Sequence, residues 1–185
     1  FPGWNQYRSF DTKSLLYQSE RIRKITYDTA YHVYLLDDQP RTYKNYTREY
    51  DLNGRYYIKN EEHAQNNETE ADYAFVNFFL PYPVRIASGD FYIIGDLTAW
   101  QSADFSRMLY NPSRRGYELT VLLKQGYYNY LYDYLSKDGS FADETMIEGS
   151  HWETDNEYEI LVYYKPTGGN YDRLIYLNYV KFTGV

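Results

Sequence analysis

Apolar and polar positions along the chain alternate with the period of strands rather than helices. Residues 117–124 read YELTVLLK, with Tyr117, Leu119, Val121 and Leu123 on one face and Glu118, Thr120 and Lys124 on the other. That is the spacing of a half-buried strand. After Gln125-Gly126 comes YYNYLYDY, in which Tyr128, Tyr130, Tyr132 and Tyr134 share a face. Two such runs joined by a short glycine-containing link predict a hairpin. Residues 73–80 and 91–95 are apolar on both faces and are separated by Pro81, Pro83 and Ser88-Gly89, which predicts two core strands with a connecting turn. A strand over 157–164 stops at Lys165-Pro166-Thr167-Gly168-Gly169-Asn170, turn chemistry that cannot continue a central strand. The last strand, over 172–182, returns from it. Shorter strands are expected over 21–27, 31–36 and 55–60, the last entered through the Asn53-Gly54 turn signal. Residues 61–71 are polar, acidic and aperiodic and read as a linker or long surface loop. The one helical candidate spans 14–24, where Tyr17, Ile22 and Ile25 match helical spacing poorly.

These signals predict an all-β fold. The expected architecture is an immunoglobulin-like β-sandwich over 71–185, preceded by a β-rich segment over 1–70 that packs on it. The alternative is a single continuous unit.

Composition narrows the function classes. At 185 residues a substantial core forms without disulfides or metal, and the absence of cysteine excludes disulfides and cysteine-rich zinc sites. A net charge of −7 argues against a nucleic-acid partner, which needs a basic surface. No apolar run approaches the roughly 20 residues of a membrane helix, so no membrane insertion is expected. No signal peptide is seen, and a start at Phe1 reads as a mature form or a piece of a longer protein. Tyrosine is the distinctive residue, at 26 positions. It suits sheet faces that are half buried and half wet, and an exposed subset would make a stacking platform.

Sequence motifs for catalysis are not evident. His32, His63 and His151 lack metal-ligand spacing, and no nucleophile elbow or nucleotide-binding loop occurs. Asp37-Asp38 and Glu61-Glu62 read as solvated turn and loop carboxylates. Asn45-Tyr46-Thr47 and Asn67-Glu68-Thr69 match the short N-glycosylation pattern. A non-enzymatic protein without cofactor or metal is the expectation.

Two resemblances add to this reading. The stretch FYIIGDLTAWQ at 91–101, then Met108-Leu109-Tyr110-Asn111, the strand at 117–123 and Gly126-Tyr127-Tyr128-Asn129-Tyr130 resemble, in that order, the sandwich modules that bind glycogen and starch. The likeness covers about residues 73–135 and implies the early-set type of immunoglobulin-like fold. Sugar-binding members carry Lys where Leu131 stands, and the second tryptophan is missing, with Ser140-Phe141 nearby. Under this alternative, an α-glucan platform would comprise Trp100, Tyr130 and Trp152.

The longer resemblance spans nearly the whole chain. Asn5-Gln6-Tyr7-Arg8-Ser9-Phe10-Asp11, the turn at Asp51-Leu52-Asn53-Gly54, Ala71-Asp72-Tyr73-Ala74, the run from Leu123 to Tyr130, Glu148-Gly149-Ser150-His151, Thr154-Asp155-Asn156-Glu157-Tyr158, Val162-Tyr163-Tyr164 and Tyr171-Asp172-Arg173-Leu174 are similar, in order, to stretches of the Plug proteins of the type IX secretion system. The resemblance implies a periplasmic, non-catalytic protein whose partner is the outer-membrane translocon barrel, the periplasmic mouth of which it closes. It also implies a further β domain upstream, since family members are longer.

Overall fold

The computed structural model describes residues 3–46, 48–49, 51–62 and 68–182. Twelve strands appear among them: β1 (Arg8–Asp11), β2 (Ile22–Tyr27), β3 (Tyr31–Leu35), β4 (Tyr56–Ile58), β5 (Tyr73–Pro81), β6 (Gly89–Ile94), β7 (Leu109–Asn111), β8 (Gly116–Lys124), β9 (Gly126–Ser136), β10 (Ala142–Asp143), β11 (Asn156–Tyr164) and β12 (Arg173–Phe182). A 3-10 turn at Asp96–Thr98 and one short helix, α1 (Thr145–Glu148), complete the described elements. The protein is an all-β sandwich.

One sheet runs β2-β3-β5-β8-β7, antiparallel except for the parallel β3–β5 pair. The other is organised around β9, which pairs with β1, β4, β6 and β10. Between the sheets lies an aromatic core. Alternation on β9 turns Tyr128, Tyr130, Tyr132 and Tyr134 inward, all buried, as the period-2 pattern requires. Phe10 of β1 stacks on Tyr128 with centroids 5.1 Å apart and meets Phe78 of β5 edge-on at 5.5 Å, so one side chain ties the two sheets together. Each inward tyrosine also finds a partner for its hydroxyl, as buried phenols need. Tyr128 donates to the Lys124 carbonyl at 2.6 Å, and Tyr134 donates to Ser88 at 2.8 Å.

Several expectations change. The runs over 117–124 and 127–134 do form strands, but β8 and β9 belong to different sheets and are not a hairpin. The reason is Gln125. Its N–H donates to the Asp72 carbonyl and its carbonyl accepts from Lys59, while its buried side chain donates to Glu62 and the Lys13 carbonyl and accepts from Asp72. The corner is thus tied to both flanking layers and carries the chain across the sandwich. Residues 14–24 form no helix. Glu62 accepts the Leu15 N–H at 2.8 Å, Ser14 caps Tyr17 at 3.1 Å, and β2 begins at Ile22.

The division near residue 70 does not coincide with a break between the sheets. β3 pairs with β5, and β1 and β4 both pair with β9. Strands from residues 1–70 are therefore integral to both layers. By contrast β11 and β12, expected within the sandwich, pair only with each other among the described residues. Every residue of these two strands except the half-buried Asn156 is exposed.

Candidate functional site

The expected aromatic platform does not assemble. Tyr130 is 1% exposed and lies in the core, because it falls on the inward face of β9. Trp100 is 47% exposed. It sits on a turn where both Ala99 and Trp100 adopt positive φ (50° and 58°), a costly conformation for residues with side chains. The Trp100 N–H to Gly95 carbonyl bond at 2.9 Å holds the turn. Its ring meets Tyr7 edge-on at 6.0 Å and rests against Gly54. Gly54 has φ +78°, and any Cβ there would overlap the indole. Trp152 is exposed at the other end of the sequence, next to His151, whose N–H donates to the Gly3 carbonyl at 2.6 Å. No ring contact joins the three members.

The histidines are likewise separate. His32 lies on β3, stacked on Phe75 at 5.1 Å. His151 has a buried Nε2 without a hydrogen-bond partner among the described residues. His63 lies outside the described residues, as do Thr47 and Asn67 of the two glycosylation patterns.

The structure instead builds an ionic network that the sequence reading missed. Asp38, read as a solvated turn carboxylate, is 2% exposed. Arg8 projects inward from β1 and spans two acids. Its Nε donates to Glu148 at 2.9 and 3.1 Å, its Nη1 to Asp38 at 3.0 Å, and its Nη2 to the Gln39 carbonyl at 2.9 Å. Asp38 accepts further bonds from Tyr130 at 2.5 Å, Tyr132 at 2.8 Å and Arg21 at 2.6 Å. Glu148, at the end of α1, accepts from Arg41 at 2.7 Å and from the Tyr132 N–H at 3.0 Å. Charges removed from water cost several kcal/mol each unless paired and fully bonded, and here both carboxylates are saturated with donors. Burial alone would lower the Arg8 pKa, but Glu148 and Asp38 overcome it and hold the guanidinium charged. Burial first, then Asp38, pushes the Tyr130 and Tyr132 phenols well up, so both remain donors. An open cleft of about 450 Å³ lies over this network, edged by Arg21, Asp37, Arg41 and Lys44. The readable signal was the alternation of Arg8 with Phe10, which places the arginine on the inward face.

A second acidic group borders the network. Burial, then repulsion from Asp133, Glu148 and Asp143, raises Glu144 to about 7. Burial also raises Asp133 to about 6, although backbone hydrogen bonds oppose it. Asp133 Oδ1 is buried without a partner among the described residues.

The third feature is the β11–β12 hairpin. Cross-strand register puts Tyr158 beside Val180, Ile160 beside Asn178 and Val162 beside Tyr176 on one face. The opposite face carries the Glu157–Lys181 ion pair and a Tyr179 to Glu159 hydrogen bond near the root, then Leu161 beside Leu177 and Tyr163 beside Leu174. An isolated two-stranded ribbon is marginal in water and normally needs a covered face. This arrangement is suited to contact with another polypeptide.

No model of a known protein family matches the chain, and no curated protein matches it. The chain is similar to a hypothetical protein from Parabacteroides merdae of known crystal structure, with a TM-score of 0.89 and 36% sequence identity. The match covers 98% of this chain and 46% of that one. The chain thus spans less than half the length of that protein.

Proposed function

We propose that this protein is a non-catalytic periplasmic component of the type IX secretion machine, resembling its Plug, which sterically closes the periplasmic mouth of the outer-membrane translocon. One observation carries the reading: the stretches that resemble Plug, far apart in sequence, meet in space. Arg8 from the first stretch bonds Glu148 from a later one, across 140 residues of chain. Tyr130, the last residue of the run from Leu123 that opens β9, bonds the same Asp38 that Arg8 bonds. Asp51, from the Asp-Leu-Asn-Gly turn, accepts the Tyr7 N–H at 2.9 Å. These contacts support reading the stretches within the sandwich together.

A body of this kind suits a plug. Two sheets locked through an aromatic core and a saturated ionic network resist deformation. Closure is then steric: the folded body occupies the barrel mouth when no substrate is in transit. Opening follows from competition with the barrel's other partners, which requires a moderate rather than obligate affinity. Deleting the gene is expected to admit small toxic solutes across the outer membrane and to alter secretion. Unchanged permeability together with unchanged secretion rejects the reading.

A further inference from the structure

We infer that the face of the β11–β12 hairpin bearing Tyr158, Ile160, Val162, Tyr176, Val180 and Phe182 is a self-association surface, which packs antiparallel against the same face of a second copy of the chain. This goes beyond the secretion reading and does not depend on it. The face is apolar apart from Asn156 at the root, Asn178 in the middle and Arg173 at the tip, its six apolar residues named above are 39–55% exposed, and nothing else among the described residues pairs with either strand.

Three features point to a second copy as the occupant. The first is self-complementarity. From root to tip the face presents Asn156 with Phe182, Tyr158 with Val180, Ile160 with Asn178, Val162 with Tyr176 and Tyr164 with Arg173. A two-fold axis through the middle level sets Tyr158 and Val180 of one copy against Val162 and Tyr176 of the other. The same axis sets Asn178, the one amide in the middle of the face, against its own symmetry mate, where two amides satisfy each other. A C2 contact requires this self-matching of one patch. The second feature is charge. The tip carries Lys165 and Arg173 against Asp172. The root borders a cleft in which Arg48 pairs with Asp155 and Lys181 with Glu157, leaving Glu49 and Asp51 as the acidic surplus. Antiparallel packing brings the basic tip of each copy, where Arg173 already lies over the Tyr171 ring, to the acidic root of the other. The third is area. Three half-exposed aromatics and three aliphatics offer roughly 500 Å² per copy, or about 1,000 Å² for the pair, the threshold for a specific interface.

The test is the mass of the 185-residue chain by sedimentation equilibrium, with two variants and one cross-link. The chain is expected at twice its 22.2 kDa. Ile160→Glu should halve the mass. Leu161→Glu, one residue away on the opposite face, should not, and it controls for damage to the hairpin itself. Because the chain lacks cysteine, Asn178→Cys supplies a single thiol that should form an intermolecular disulfide readily on oxidation, whereas Thr167→Cys at the tip should not. A monomer at every attainable concentration overturns the inference. So does a dimer broken by Leu161→Glu but not Ile160→Glu. So does a monomer whose hairpin amides become protected only when a different protein is added.

Discussion

The carboxylate of Glu148 takes the place of a strand beside Tyr132. Its Oε1 accepts the Tyr132 N–H at 3.0 Å. Tyr132 lies between residues 127–130, paired with β1, and residues 134–135, paired with β10. A side chain from α1 thus fills the gap between two short strands, and the same carboxylate anchors Arg8 and Arg41. A buried N–H that would otherwise be orphaned is satisfied, and the loop carrying α1 is fixed against the sheet.

Removing the centre of this network should be costly. Arg8→Ala leaves Asp38 and Glu148 buried with their principal cation gone, and a loss of about 3–5 kcal/mol is expected. Urea denaturation followed by tyrosine fluorescence measures it. Lys13→Ala removes an arginine-free, partly exposed pair with Asp11 and Glu61 and should cost no more than about 1 kcal/mol. Similar losses for the two variants would show that the network does not hold the fold.

Gly54→Ala should destabilise through a different route. Its φ of +78° disfavours a side chain, and the added Cβ would fall 2.2 Å from the Trp100 ring. A loss of about 1–3 kcal/mol follows. Gly139→Ala, at φ +69° with nothing within 4 Å, bears the backbone strain alone and should lose less. Thermal melts of the pair separate strain from overlap.

Stability should rise on mild acidification. Asp133 and Glu144 have folded pKa values of about 6 and about 7, above ordinary values of 3.8 and 4.5. Between those limits the folded chain keeps protons that the unfolded chain has released. Stability from these groups therefore falls as pH rises through that window and is lowest above about pH 7. The double variant Asp133→Asn, Glu144→Gln should flatten the profile between about pH 5 and 8 and gain roughly 1–3 kcal/mol at the upper end. Carboxylates lowered in the folded chain, such as Glu62, where hydrogen bonds from Ser14, then Gln125 and Leu15, outweigh burial, act in a separate, more acidic window. An unchanged profile in the double variant would contradict this assignment.

α-Glucan binding is expected to be absent. Of the three platform candidates Tyr130 is in the core, and Trp100 and Trp152 make no ring contact with each other. Titration calorimetry with soluble α-glucans should show no heat of binding. Millimolar or tighter binding abolished by Trp100→Ala, in a protein that stays folded, would restore the carbohydrate reading.

Strand positions were largely legible in the sequence, from the two-sided apolar run of β5 and the alternation of residue types on β8 and β9. Their pairing was less so. The link Gln125-Gly126 has hairpin composition, yet the distant Asp72, Lys59 and Lys13 claim its hydrogen bonds. Such long-range partners leave no local mark. Asp38 was misread for the same reason: a carboxylate beside Asp37 looks solvated until Arg8, Tyr130 and Tyr132 converge on it from 30 and more than 90 residues away. The hairpin strands β11 and β12 were visible, but their standing apart from the sandwich depends on what pairs with them, which periodicity does not encode.

The most direct test of the proposed role is affinity purification of the full-length protein from its own cells. The outer-membrane translocon barrel is expected to co-purify, at a yield that falls when the barrel is occupied by secretion substrate. A barrel that never co-purifies, even after in vivo cross-linking, would contradict it.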